Sequence, residues 1–373
     1  MTTRRDFIKQ ASVVAAVSAT ITGLGLSPTK VLAAAQGRWF MPDEGDRHER
    51  AFIAFGAQDA IWEDFTEDVQ EALGRIARAI ARYEPVTVFC RKNERSIAEE
   101  FCGTSNITYV TAGLDDIWMR DIGANFVIDD KGGLGAVDFN FNGWGNKQRH
   151  SKDAQIAARV ADDAQATYIR TELVGEGGGI EVDGHGTGIM TESSWINSNR
   201  NPDWSKADVE AELKERLGLR KIIWLPGIKN KDITDAHVDF YARFIKPGVV
   251  IANLDTDPES YDRKVTLAHL EILRNATDAD GRKLQIHTIS PPLKPRKSKF
   301  NQNNPDFAAG YINYFVINGA VIAPEFSDKA ADKKAFDLLS GLYPDREIVQ
   351  LDIDAIAAGG GGIHCVTSHQ PQA

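Results

Sequence analysis

Cysteine is scarce in this 373-residue chain: Cys90, Cys102 and Cys365 are the whole complement. Three thiols cannot build a disulfide scaffold at this length. Spacings that make a zinc site legible, Cys-x-x-Cys or His-x-x-x-His, are also missing. No run reaches the roughly 18 uninterrupted apolar residues of a membrane span. Basic residues are in deficit, 43 Lys and Arg against 53 Asp and Glu, for a net charge of −10. That balance argues against nucleic-acid binding through phosphate neutralisation and favours a cationic ligand. Glycine-rich stretches occur, but without Gly-Lys-Ser/Thr or Gly-x-Gly-x-x-Gly, so a nucleotide cradle is not indicated. The remainder is ordinary for a globular chain, 42% hydrophobic and 26% charged, with enough apolar material for a large core.

Residues 1–35 read as an address label. Arg4 and Arg5 precede Phe7, Ile8 and Lys9, a weakly apolar stretch follows to Leu26, and Ala33-Ala34-Ala35 supplies a small-residue exit. A charged start, an apolar middle and an alanine-rich end form an export signal, here of twin-arginine type, with a periplasmic or exported destination expected. Its removal takes away four basic residues and one acid, moving the net charge from −10 to −13. Residues 36–373 are then expected to form one catalytic domain, without membrane insertion.

Helical and extended patterns alternate along that body, which predicts an α/β fold. Val69, Leu73, Ile76, Ile80 and Tyr83 are spaced for one helix face, and Val86–Cys90 reads as a short buried strand. Ser205 with Asp208 forms a capping pair ahead of Leu213 and Leu217. Ser327–Leu339 reads as a helix with Ala331, Phe336 and Leu339 turned inward. No repeat is visible at a fixed period, and Cys90 with Cys102 leaves a disulfide open.

The chemistry-bearing residues fall in five short stretches, four of them containing glycine: Trp118-Met119-Arg120-Asp121-Ile122-Gly123, Asn140 to Gly145 with Trp144, Gly175-Glu176-Gly177-Gly178-Gly179, Thr234-Asp235-Ala236-His237-Val238-Asp239, and Gly359-Gly360-Gly361-Gly362-Ile363-His364-Cys365. A thiol beside glycines and an imidazole suits a nucleophile. On extended spacing His237 and Asp239 share a side, which suits proton transfer or a metal site. Glu176 heads a loop in which a carboxylate would repel phosphate. A Cys–His–carboxylate hydrolase or transferase acting on a cation is the best reading of the residues themselves.

Together these motifs resemble the agmatine deiminase and Porphyromonas-type peptidylarginine deiminase family, from about Met41 to Pro371. The resemblance implies a pentein α/β propeller of five ββαβ-type modules around a pseudo-fivefold axis. It implies Cys365 as nucleophile, His237 as general acid/base, Glu176 as its orienting carboxylate, and Asp121 with Asp239 as the pair holding a guanidinium, with Trp118 and Trp144 at the substrate. No cofactor and no metal are implied. The expected partner is a small cationic guanidino substrate, and self-association into a homo-oligomer is compatible with it. Agmatine, giving N-carbamoylputrescine, leads; peptidyl or free arginine is the alternative, and an inactive guanidinium- or polyamine-binding relative comes third. Ala124 and Ala236 stand where the family commonly has Pro and Gly.

Overall fold

Five three- or four-stranded sheets, each built to the same plan, organise the described residues 38–373 of this computed structural model. The expected export signal, residues 1–35, lies outside the described residues. The plan is an antiparallel pair followed by a helix and a third strand parallel to the second. In the first module β4 (Asn125–Ile128) pairs antiparallel with β5 (Leu134–Asp138), and α3 (Ile156–Asp163) leads to β6 (Thr167–Arg170), parallel to β5. The second repeats it with β7 (Glu181–Val182), β8 (Thr187–Thr191), α4 (Lys206–Leu217) and β9 (Lys221–Leu225). The third uses β10 (Ala242–Lys246), β11 (Val249–Asn253), α5 (Asp262–Asn275) and β12 (Gln285–Ile289). The fourth uses β13 (Phe315–Ile317), β14 (Ala320–Glu325), α6 (Lys329–Leu342) and β15 (Glu347–Asp352).

The fifth sheet is assembled from both ends of the sequence. β16 (Thr367–Pro371) pairs antiparallel with β1 (His48–Phe55), from which α1 (Thr66–Ala81) leads to the parallel β2 (Val86–Cys90). α2 (Arg95–Cys102) then adds a fourth strand, β3 (Ile107–Thr111). Each parallel step has its crossover helix, as parallel neighbours require.

Local sequence accounts for these elements. Val69, Leu73, Ile76 and Ile80 form the inward stripe of α1 and are fully buried, each contributing about 2 kcal/mol of burial. Tyr83 falls just past the helix end. Ser205 and Asp208 form the reciprocal capping box of α4, and Gly218 ends it at φ +67°, a conformation that favours glycine. α6 corrects the expected face: Ala335 and Leu339 are buried, but Phe336 is 41% exposed. One residue beyond Ala335 turns the side chain by about 100°, off the stripe that continues to Leu339. Cys90 and Cys102 are both buried free thiols, which closes the disulfide alternative. No described helix is long and apolar enough to cross a membrane.

Candidate active site

The chemistry-bearing residues share one structural address, the segment just before the first strand of each module. Asp121 lies in the short helix Met119–Ile122 ahead of β4, and Glu176 with Gly177–Gly179 lies ahead of β7. His237 and Asp239 precede β10, Asn313 precedes β13, and Cys365 precedes β16. Five repeats of one position, brought together, explain why the site is scattered along the sequence.

His237 is buried, with Nε2 3.1 Å from Glu176 Oε2 and Nδ1 3.6 Å from Asp121 Oδ1. Burial alone would lower its pKa, but Asp121, Glu176 and Asp239 outweigh burial and raise it to about 9. The ring is therefore an imidazolium at neutral pH. The two Glu176 oxygens share the Arg200 Nε–H, at 2.8 and 2.9 Å, and Arg200 also donates to Asp235 at 2.8 Å and the Thr234 carbonyl at 3.0 Å. Against burial, Arg200 and His237 hold the Glu176 carboxyl below its usual range. Arg200 thus ties the glutamate loop to the loop that presents His237.

That second loop is strained. Asp235 and Ala236 stand at φ +63° and +68°, a region costing a non-glycine residue about 1–2 kcal/mol. Asp235 compensates through bonds to Lys147, Asn199, Arg200 and the Asn230 amide, and its pKa falls to about 2, these partners overcoming burial. The extended spacing expected for His237 and Asp239 is not what aligns them, because Val238–Phe240 is a 3-10 turn. They converge around Gly178 instead. A Cβ there would lie 2.6 Å from His237 Nδ1, 2.8 Å from Asp121 Oδ1 and 3.2 Å from Asp239 Oδ2. Gly178 serves as room for three functional side chains, and its backbone N–H also donates to Asp121 Oδ1 at 3.0 Å.

Cys365 is 7% exposed, with Sγ 3.6 Å from Asp239 Oδ2 and 3.5 Å from Asn313 Oδ1. The backbone N–H groups of His364 and Cys365 donate to that same Asn313 oxygen at 3.0 and 3.4 Å. Burial raises the thiol pKa well above its ordinary value, and the charges of Asp239 and Asp121 raise it further. The free protein therefore holds a thiol, not a thiolate. Of the glycines before it Gly360 alone has positive φ; Gly359 and Gly361 lie against Trp62 and Trp118, where a Cβ would approach within 2.2 and 2.1 Å.

The two candidate guanidinium carboxylates differ. Asp121 receives the Trp144 indole N–H at 2.8 Å, and burial raises its pKa. Asp239 is fully buried, with Oδ2 2.8 Å from His364 Nδ1, while Oδ1 has no hydrogen-bond partner among the described residues. His364 and His237 overcome burial and hold Asp239 ionised. A cavity of about 340 Å³ reaches Cys365 and Asp121 between Trp62, Trp118, Trp144 and Ile233. Asp116 fixes two of these walls, accepting from the indoles of Trp62 and Trp118 at 2.7 and 2.9 Å. A neighbouring cavity of about 810 Å³ reaches His237 and shares Ile233, Thr234, Gly359 and Gly360 with the first. No three His, Cys, Asp or Glu side chains among the described residues are grouped to hold a metal ion.

Residues 40–371 match the family described as Porphyromonas-type peptidyl-arginine deiminase. The chain belongs to this family. It is 41% identical over 342 residues to a Streptomyces coelicolor relative, covering 89% of this chain and 98% of the other. It is 35% identical over 350 residues to the agmatine deiminase of Pseudomonas aeruginosa, covering 89% and 95%. An agmatine deiminase structure from Enterococcus faecalis superposes at a TM-score of 0.84 with 29% identity, covering 90% and 96%. The C. jejuni agmatine deiminase with substrate bound gives 0.80 with 25% identity, covering 90% and 97%. With five ββαβ modules and these neighbours, the fold is the pentein α/β propeller.

Every site residue expected from the sequence lies in this region, with Trp118 and Trp144 as cavity walls. Sequence reasoning gave no role to Glu44, Arg120, Arg200, Arg243 or Asn313, and took His364 only as the imidazole beside Cys365, although Arg120 and His364 lie inside the quoted motifs.

Proposed function

We propose that the protein is a guanidine deiminase that hydrolyses agmatine to N-carbamoylputrescine and ammonia through an amidino-cysteine intermediate. One observation carries this reading: a buried thiol and a carboxylate-held imidazolium lie beside two carboxylates, one with a buried oxygen still unpartnered. In this reading Asp121 and Asp239 bind the guanidinium by charge-assisted hydrogen bonds and fix its plane against Sγ. The cation offsets the two charges that raise the thiol pKa, so substrate binding itself favours the thiolate, and the S–H proton leaves to solvent. Cys365 attacks the guanidinium carbon, forming a C–S bond. His237 passes its proton to the departing nitrogen, the C–N bond breaks and ammonia leaves. Water then adds to the same carbon and His237 takes one of its protons; the C–S bond breaks, the remaining O–H proton passes to the departing Sγ, and the oxygen stays as the ureido carbonyl.

Purified protein incubated with agmatine, free arginine and a blocked peptidyl-arginine, with ammonia as readout, tests this reading. Agmatine should be turned over fastest; a faster peptide reaction would move the protein to peptidyl-arginine deimination. The 810 Å³ cavity favours that second reading, since it leaves room for a larger guanidino substrate. Ligand binding without ammonia from any of the three would leave a binding protein. The Arg4-Arg5 motif supports export as a further part of the proposal. Changing both to Lys should retain active enzyme in the cytoplasm, and unchanged export would discard the twin-arginine assignment.

A further inference from the structure

The chemistry proposed above uses Asp239 but leaves unexplained the chain of charges behind it. Asp239 Oδ2 engages His364 Nδ1 at 2.8 Å, and the other ring nitrogen lies 2.8 Å from Glu44 Oε2. Carboxylate oxygens accept hydrogen bonds when ionised, so a ring facing one on each side satisfies both contacts when each nitrogen carries a proton. Either the ring is a cation or one carboxyl group holds the extra proton.

The surroundings of Glu44 decide between these. Oε1 accepts from Arg243 Nη2 at 2.6 Å and the Val316 N–H at 3.0 Å, and Oε2 also accepts from Arg120 Nη2 at 2.8 Å. Burial opposes its charge, yet Arg243, His364 and Arg120 hold the Glu44 carboxyl well below its usual range. Asp239 is held low as well. Arg243 and Arg120 pair directly with Glu44, at 2.6 and 2.8 Å, so Glu44 is an acceptor toward the ring and the ring is left to donate on both sides.

The position of Glu44 is equally informative. It lies between Phe40, which bridges to Ile128 of β4, and the start of β1. Its partners come from four modules: Arg120 before β4, Arg243 in β10, Val316 in β13 and His364 before β16. Arg243 also reaches Glu181 of β7 at 2.8 Å, which brings in the remaining module. One carboxylate, on a segment outside the modules' strands, therefore joins four modules directly and the fifth through Arg243.

We infer that Glu44 is a positioning residue for the deiminase site: it locks a doubly hydrogen-bonded His364 imidazolium, which turns Asp239 so that Oδ1 stays free for the guanidinium. This rests on the deiminase reading. Besides Asp239 and Glu44, the charged or titratable groups around His364 are Arg120 and Arg243 across Glu44, His369, Cys365 on the same Asp239 oxygen, and His237 beyond Asp239.

Nitrogen-15 NMR of the wild-type imidazoles, followed by agmatine kinetics on Glu44→Gln and Glu44→Asp, tests the inference. At neutral pH, His364 should show two protonated nitrogens in the wild type and one in Glu44→Gln. Glu44→Gln should raise KM for agmatine about tenfold with kcat within about threefold, while Glu44→Asp restores the charged ring and most of the affinity. A neutral His364 in the wild type overturns the inference, even if Glu44→Gln fails to fold. So does a Glu44→Gln protein that loses thermal stability with KM unmoved. If the wild type releases no ammonia, the deiminase reading fails separately, and agmatine affinity measured by calorimetry, unchanged in Glu44→Gln, would then overturn the positioning role.

Discussion

His237 and His364 are two buried imidazoles, each set between two carboxylates, and they are held in different ways. His364 is bonded at 2.8 Å on both sides. His237 has Glu176 at 3.1 Å on one side and Asp121 at 3.6 Å on the other, beyond a good hydrogen bond. A proton committed on both flanks is fixed charge, whereas one loosely held on Nδ1 is available for transfer. Both rings border the same Asp239, so spacing rather than composition separates a proton carrier from a strut.

The variant with the largest expected effect leaves both histidines in place. Cys365→Ala should abolish ammonia release while agmatine still binds by calorimetry, and lost binding would mean that the carboxylates alone do not hold the cation. His237→Asn should then lower kcat by about a thousandfold, within the range of general acid–base contributions, whereas His364→Asn should act mainly on KM. Equal kcat losses in the two would collapse the distinction. Glu176→Gln sharpens it further: kcat should fall about a hundredfold. Arg200 keeps Asp235 but loses its second anion, so unfolding stability should fall by about 2 kcal/mol in a denaturant titration.

The pH profile provides another test. Because the His237 pKa is raised to about 9, the acid form is retained below that pH and lost above it, so kcat/KM should fall on the alkaline side near there. Glu176→Gln removes an anion that favours the imidazolium and should move this limb to lower pH; an unmoved limb would assign it to another group. The smallest effect belongs to the loop presenting His237. Ala236→Gly relieves a left-handed alanine and should add about 1 kcal/mol of stability by denaturant titration, with turnover unchanged.

Much of this arrangement was legible where the signal is local. The α1 stripe, the Val86–Cys90 strand and the Ser205–Asp208 cap depend on neighbours in sequence. Phe336 was misplaced because three apolar residues on a short helix fit more than one face. The fivefold repeat was implied by the family resemblance and not by periodicity, because the modules share a connection order rather than residues. Among the site residues, Cys365, His237, Glu176, Asp121 and Asp239 were found through short motifs that follow the family's order. Glu44 gave no such signal: beside Asp43 and Asp46 it reads as a solvated acid. Its meaning lies in partners as distant as Arg243 and His364, which no periodicity reveals.

The seam between β16 and β1 has a consequence for folding. Cys365 sits immediately before the strand that zips onto β1, and its carbonyl accepts the Arg120 N–H at 3.1 Å. The nucleophile therefore reaches its post when the circle is fastened, after contacts that span nearly the whole described chain have formed. Enzymatic activity then reports closure rather than secondary structure. A partly opened population could keep four modules folded and still be silent, with amide exchange at Phe52, which alternates with the β2-facing Ala51 and so faces β16, registering the breach before any global melting.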